Sequence, residues 1–238
     1  MGFFIFVIIF LIAGALGILI YFTSNKGSNN QLNTFNYSAC YNKNVAKGFW
    51  GEYASYNQLK VFEQFGARFL ANVYVPKCGA EMTEIDLIMI CHCGIFVIES
   101  KNYSGWIFGD ENQTNWTQTL PSGRGRVEKN YFYNPIKQNQ SHIEHLGNYL
   151  SEYFPVYSVV VFSDSCTLKS VTVSNPEVVI VNQSNLFSAV NWICNSARPV
   201  LSQTDIIRFY NKLYPLTQVN ITVRQQHIAG VQQQINRR

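Results

Sequence analysis

Charge is scarce in this 238-residue chain, and before Thr23 it is missing altogether. Only 13% of residues are Asp, Glu, Lys or Arg, against 47% hydrophobic and 15% aromatic. So aromatic a composition excludes a disordered chain, and the length excludes a disulfide-stapled miniprotein. No unit of about 20–50 residues recurs, which excludes solenoids and propellers. The six cysteines contain no CxxC pair and no disulfide-framework spacing. Cys91-His92-Cys93 is set aside as a metal site, because adjacent strand residues point to opposite faces and no second ligand pair follows. A net charge of +4 permits an anionic partner without demanding one.

What is present begins with Gly2–Phe22, 21 residues without a charge or an amide. At about 1.5 Å per residue such a helix reaches roughly 30 Å, the thickness of a bilayer core. No Lys or Arg precedes it, so it reads as an uncleaved anchor rather than a signal peptide. Lys26, Lys43 and Lys47 all follow it, and the positive-inside tendency puts the soluble part in the cytoplasm of a single-pass membrane protein. Residues 23–44, rich in Ser, Asn and Gly, read as a linker. Asn-x-Ser/Thr triplets at Asn102, Asn112, Asn115 and Asn220 are expected by accident in so Asn-rich a chain.

Beyond the linker the pattern predicts a mixed α/β domain with a central sheet flanked by helices. Its first part covers 45–165; strands and helices over 166–217 complete it, and 218–238 form a basic, Gln-rich tail. Helices are expected at Val45–Phe65, at Asn134–Tyr153 with Asn134 as cap and Pro135 next, at Leu186–Cys194 and at Ser202–Leu213. Strands are expected at Arg68–Pro76, Val156–Phe162 and Glu177–Val181, with a hairpin over Glu84–Lys101. Asn102–Asn130 reads as a long polar loop.

The hairpin carries the argument. Both arms are almost wholly apolar, as central strands of a covered sheet are. A two-residue or a four-residue turn within Cys91–Gly94 gives one register, in which paired numbers sum to 185. That register sets Asp86 opposite Glu99, with Lys101 on the face of Glu99. Burying either carboxylate ionised costs several kcal/mol. A proton, a basic side chain or a divalent cation relieves it, and charge alone leaves open a strand-end salt cluster of Lys101 with Glu99 or Glu84. A third acid, Glu52, falls on the apolar stripe of Val45, Phe49, Tyr56, Leu59 and Phe62. Redrawn through Trp50, Tyr53 and Val61, the stripe leaves Glu52 at its border. Gly48 and Gly51 permit close packing there. Gln138 follows the Asn134-Pro135 cap by one turn and by itself reads as a surface amide.

Four blocks occur in order: Gly48-x-x-Gly51-Glu52; Glu84-Ile85-Asp86; Ile98-Glu99-x-Lys101-Asn102-Tyr103-x-Gly105; and Asn134-Pro135-x-x-Gln138-Asn139. Over roughly Val45–Phe162 they resemble the nuclease-related domain (NERD), a branch of the PD-(D/E)xK nuclease superfamily. Ser100 stands where that family commonly has a branched residue. The resemblance implies a restriction-endonuclease-like core and a Mg²⁺-dependent (alternatively Mn²⁺-dependent) phosphodiester hydrolase acting on DNA or RNA. Asp86, Glu99 and the Ser100 carbonyl would be metal ligands, the ion activating a water. Lys101 would orient that water or stabilise the phosphate. Glu52 would hold a metal-bound water or a second ion, and Gln138 would orient a water or touch the phosphate. Arg124 and Arg126 in the Pro121–Arg126 loop, with Lys129 and Lys137, are candidate grips on the phosphate backbone, or else a solvated surface. Trp106 and Trp116 are stacking candidates or buried anchors. The competing functional classes are a membrane-tethered nucleic-acid-binding module without hydrolysis and a protein-recognition module.

Overall fold

A computed structural model describes residues 43–77, 81–123 and 125–219, with side chains from residue 51 onward. The expected anchor, the linker up to residue 42, Arg124 and nearly all of the 218–238 tail lie outside the described residues. Among those described, no helix is long and apolar enough to cross a membrane.

The chain opens with α1 (Lys43–Leu59), prolonged by a 3-10 turn over Lys60–Phe65. Two strands, β1 (Arg68–Pro76) and β2 (Met82–Cys91), pair antiparallel; β3 (Gly94–Lys101) returns beside β2. Helix α2 (Pro135–Leu150) leads to β7 (Val156–Phe162), which lies parallel to β3; β9 (Val178–Asn182) lies parallel to β7. The five-stranded sheet therefore has the order β1-β2-β3-β7-β9. Helices α3 (Leu186–Ser196) and α4 (Gln203–Leu213) follow.

Apolar pattern decides which face each helix covers. Leu146 and Leu150 of α2 and Ile206, Phe209 and Leu213 of α4 share one core with Ile88, Ile90, Ile95 and Val97 of the hairpin. On the other face α1 passes over β3, where a methyl group on Gly51 would meet Ser100 Cβ at 3.5 Å. That is ordinary contact, so the approach does not require glycine. Phe62 meets Phe187 of α3 at 5.8 Å between ring centroids.

The hairpin register is the expected one. Leu87 pairs with Ile98, Ile90 with Ile95 and Cys91 with Gly94, leaving His92-Cys93 as a two-residue turn. Gly94 has φ +141°, and a Cβ there would stand 2.4 Å from the Pro155 carbonyl oxygen, so only glycine fits. The ladder stops at Leu87↔Ile98, one step short of Asp86 and Glu99. In the same place β1 and β2 exchange faces. Ile85 and Ile88, an odd number apart, both enter the core under α2, as do their partners Val73 and Leu70. Between them lie Asp86 and Asn72, the latter with φ +52°, a left-handed conformation uncommon for a non-glycine residue and easiest for Asn. Strict alternation, on which a shared face for Asp86 and Glu99 rests, thus fails at Asp86.

The expected loop over 102–130 is not a loop. It holds β4 (Gly105–Asp110), β5 (Asn115–Pro121) and most of β6 (Val127–Tyr133), which join β8 (Cys166–Thr172) in a second sheet ordered β6-β5-β4-β8. Its strands are mostly polar because few of their side chains are buried. Ile107 and the fully buried Trp116 do most of that, the latter stacked on Phe162 at 6.1 Å. Gly105, with φ +75°, brings β4 against the Thr119 carbonyl, where a Cβ would clash.

Asn134 joins the second sheet to α2. Its Oδ1 caps the helix by accepting from Ile136 N (2.9 Å), and its Nδ2 donates to the carbonyls of Asp110 (3.2 Å), Glu111 (3.0 Å) and Gln113 (2.7 Å). Asn139, also fully buried, donates to the Val97 carbonyl and to Ser158 Oγ, both at 2.9 Å, fixing α2 over β3 and β7. Replacing Asn134 by Ala removes the cap and takes a donor from the Glu111 and Gln113 carbonyls, while Asp110 keeps Trp116 Nε1 at 3.0 Å, a loss of about 3 kcal/mol. The melting temperature of the full chain should fall by roughly 6–12 °C, and by less in Asn134→Ser, which keeps a cap oxygen; thermal unfolding reads both.

Candidate functional site

The acids and the lysine singled out from the hairpin meet where β2 leaves β3. Glu99 and Lys101 end β3, and Lys101 Nζ donates to Glu99 Oε1 at 2.7 Å. From the first turn of α2, Gln138 Nε2 donates to the same Oε1 at 2.7 Å, and Gln138 Oε1 accepts from Lys101 Nζ at 2.9 Å. Gln138 is therefore not a surface amide; it closes a triangle with the ion pair. Asp86 reaches into the gap left by the ended ladder, where its Oδ2 accepts from Ser100 N at 2.8 Å.

Two residues of this site escaped the sequence reading. His142, one turn beyond Gln138 on α2, brings Nε2 to 3.3 Å from Glu99 Oε2 without the alignment of a hydrogen bond, while its Nδ1 lies 2.8 Å from Thr83 Oγ1. Its signal was a polar residue in an otherwise mostly apolar buried stripe, Ile136, His142, Leu146 and Leu150. Asn72 is the other. With its amide nitrogen turned toward the acids, it donates to Glu84 Oε1 (3.0 Å) and Glu52 Oε2 (3.1 Å). A lone amide in the apolar run of β1 was its signal. Glu84 also accepts from the Tyr74 hydroxyl at 2.7 Å. Glu52 thus faces the sheet rather than the border of its helix.

The charges do not balance. Burial raises the Glu52 carboxyl to about 7, with Glu84 and Glu99 adding repulsion and the Asn72 amide opposing it. Burial likewise lifts Asp86 well above the usual carboxylate range, helped by Glu99 and Glu52 and only partly offset by the Ser100 N–H and Lys101. Glu99 goes the other way. Burial pushes it up, but the Lys101 ammonium and His142 bring it down to about 2. Lys101 is pushed down by burial and more than restored by Glu99. One ammonium therefore serves one of three acids, and the salt-cluster reading of the hairpin accounts for Glu99 alone.

The donor set suits a hard divalent cation. Among the described residues Asp86 and Glu52 lack a counter-charge of their own, and Glu99 Oε2 is a buried oxygen without a hydrogen bond. Carboxylate oxygens are the ligands Mg²⁺ and Mn²⁺ prefer.

The basic residues lie elsewhere. Arg126 and Lys129 are exposed on the hairpin of β5 and β6, in the second sheet. Lys137 Nζ donates to the Asn112 carbonyl at 2.7 Å, which turns it toward the β4–β5 connection. Trp116 is a buried anchor; Trp106 is half exposed, with Lys169 Nζ 5.3 Å from its ring centroid. The Cys91-His92-Cys93 triplet departs from expectation. Because Cys93 sits in the turn and not on a strand, its Sγ comes to 3.3 Å from that of Cys91, and α3 supplies Cys194 as a third sulfur.

Comparison with known proteins agrees with the ordered blocks. The chain is 34% identical over 140 residues to an uncharacterized protein of Bacillus anthracis, a match that spans 59% of this chain and 64% of that relative. No solved structure matches the chain. Residues 47–163 match the nuclease-related domain, NERD, and the span includes α1 from its fifth residue, both arms of the hairpin, most of the second sheet, α2 and β7. Over that span, just under half of the chain, it matches the NERD family.

Proposed function

We propose that the chain is a membrane-anchored nuclease of PD-(D/E)xK type, with a restriction-endonuclease-like core, hydrolysing phosphodiester bonds of DNA or RNA with Mg²⁺ or Mn²⁺. The observation that carries the reading is the excess of buried and half-buried carboxylate over ammonium, among the described residues, at the end of the β2–β3 ladder. Asp86, Glu99 and the Ser100 carbonyl are the residues that would hold the ion. When bound, it supplies charge neutralisation on the phosphate and a more acidic water.

The chain's own groups have distinct parts. Lys101 stays protonated, and with two N–H groups committed to Glu99 and Gln138 its third can meet a phosphate oxygen. Gln138 fixes the direction of that ammonium. Glu52, titrating near neutrality, is suited to accept a proton from the attacking water as its oxygen bonds to phosphorus. The leaving alkoxide then takes its proton from solvent. Arg126, Lys129 and Lys137 are candidate backbone contacts outside this cluster, and Arg124 stays a candidate on sequence grounds. The anchor, the cytoplasmic side and the basic tail stay part of the proposal on sequence grounds. A second reading, binding of nucleic acid without hydrolysis, draws on the Lys101–Glu99 pair, which already neutralises the one acid on β3.

The full chain, given single-stranded DNA, duplex DNA and RNA in turn with Mg²⁺ or Mn²⁺, should cleave at least one. Asp86→Ala and Glu99→Gln should each lower cleavage by about 100-fold or more. Equal cleavage by native chain and Asp86→Ala, or none on all three substrates, defeats the catalytic reading; salt-dependent binding in the second case leaves the tethering one.

The buried acids also set a pH dependence. In the metal-free fold Glu52 ionises near 7, against 4.5 when exposed, so between those values the folded state holds the extra proton. Stability from this group is complete below 4.5 and is lost as pH rises through 7, with Asp86 acting in the same direction. Glu99, held down to about 2, contributes nothing to the slope in this window. In chelator the melting temperature should fall by roughly 5 °C between about pH 5.5 and about pH 8. Mg²⁺ should restore it chiefly at the higher pH, and Glu52→Gln should flatten the metal-free slope. A metal-free chain that gains stability over this range contradicts the assignment.

A further inference from the structure

At the far end of the same hairpin, and independent of the carboxylates, lies a second group of ligating atoms. Cys91 ends β2, Cys93 occupies the second turn position and Cys194 comes from the last turn of α3. Their sulfurs all lie within 4.8 Å of one another, with Cys91–Cys93 at 3.3 Å and Cys93–Cys194 at 3.6 Å. All three residues are buried, at 2%, 1% and 7% exposure. We propose that Cys91, Cys93 and Cys194 bind one thiophilic d¹⁰ cation, zinc or copper(I), which clamps the β2–β3 turn to α3.

Spacing is the first argument. Sulfurs ligating one zinc at about 2.3 Å in tetrahedral directions stand about 3.8 Å apart. The Cys91–Cys93 and Cys93–Cys194 separations are within half an ångström of that, and well beyond the bonded distance of about 2.05 Å in a disulfide. Chemistry is the second. A thiol is a weak donor and a weak acceptor, so a dry cluster of three gains little from hydrogen bonding alone. Yet the fold brings one of them from 101 residues away.

The surroundings fit a three-sulfur set. The His92 ring, placed between the two turn cysteines in sequence, is engaged elsewhere. Its Nε2 donates to the Cys194 carbonyl at 3.3 Å, and its own carbonyl accepts from Val200 N and Leu201 N at 2.8 and 2.9 Å. Copper(I) is content with three thiolates; zinc would complete its shell with water. Either ion is soft where Mg²⁺ is hard, so the two ends of the hairpin select different metals. Five residues of strand at about 3.3 Å each put roughly 16 Å between Cys91 and Asp86. Each thiol that ligates releases its proton, so binding weakens as pH falls.

The test uses the full chain, reduced and stripped of metal. Cobalt(II) serves as the spectroscopic probe for zinc, and copper(I) is presented in competition with a chromogenic copper(I) chelator. One cobalt per chain with thiolate-to-metal charge-transfer absorption, displaced by zinc and not by excess Mg²⁺, supports a zinc site. One copper(I) per chain without the cobalt band supports a copper site. Cys91→Ser and Cys194→Ser should each weaken uptake by about 100-fold, and Cys166→Ser, a buried cysteine outside the group, should leave it unchanged. Should the cluster variants fail to fold, the charge-transfer band of the native chain decides, because only sulfur ligation produces it. Uptake of neither ion, a band that survives Cys194→Ser, or a Cys91–Cys93 disulfide in chain isolated without oxidant overturns the proposal.

Discussion

The buried Glu99 and the half-buried Glu52 and Asp86 share one gap with a single ammonium among the described residues, and most of the local architecture follows from holding them there. Left to itself, repulsion among Glu52, Asp86 and Glu99 would open the end of the hairpin. It is opposed by groups that cannot leave: the Ser100 N–H on Asp86, the Lys101–Gln138 pair on Glu99 and the Asn72 amide between Glu52 and Glu84. They come from β1, β3 and α2, so the cluster is only as stable as the packing of those elements and of α1 around it. Polar networks of this kind rigidify a core when fully satisfied. Among the described residues Glu99 Oε2 and His142 Nε2 fall short of that satisfaction.

The strand irregularity beside the cluster belongs to the same account. A regular β1–β2–β3 sheet would place Asp86 in a continuous apolar face. With Asn72 left-handed and the ladder cut at Leu87, both strands turn over, and the acid stands at the crossing point. Backbone strain at functional sites persists where the surroundings over-determine it, and here a full ladder from Ile90 to Leu87 precedes the break.

How much was legible depended on whether a signal was local. The hairpin register, the Asn134-Pro135 helix start and the acids with their lysine could be read because apolar runs and caps act over a few residues. The second sheet could not. Its strands carry Thr, Gln and Asn, and the few residues that bury it, Ile107 and Trp116, find their partners on β7 and α2. Asn72 and His142 were visible as polar letters in apolar patterns, but only the fold gives each a carboxylate to face. Cys194 offered nothing at all until α3 was laid against the turn.

Asn134 has one more consequence. Through three carbonyls it grips the β4–β5 connection, and through its cap it starts the helix that carries Gln138. Lys137 adds a second fastening to Asn112. A tug on the small outer sheet is thereby delivered to the amide bonded to the lysine, so the accessory layer works as a handle on the carboxylate corner and not merely as its cover.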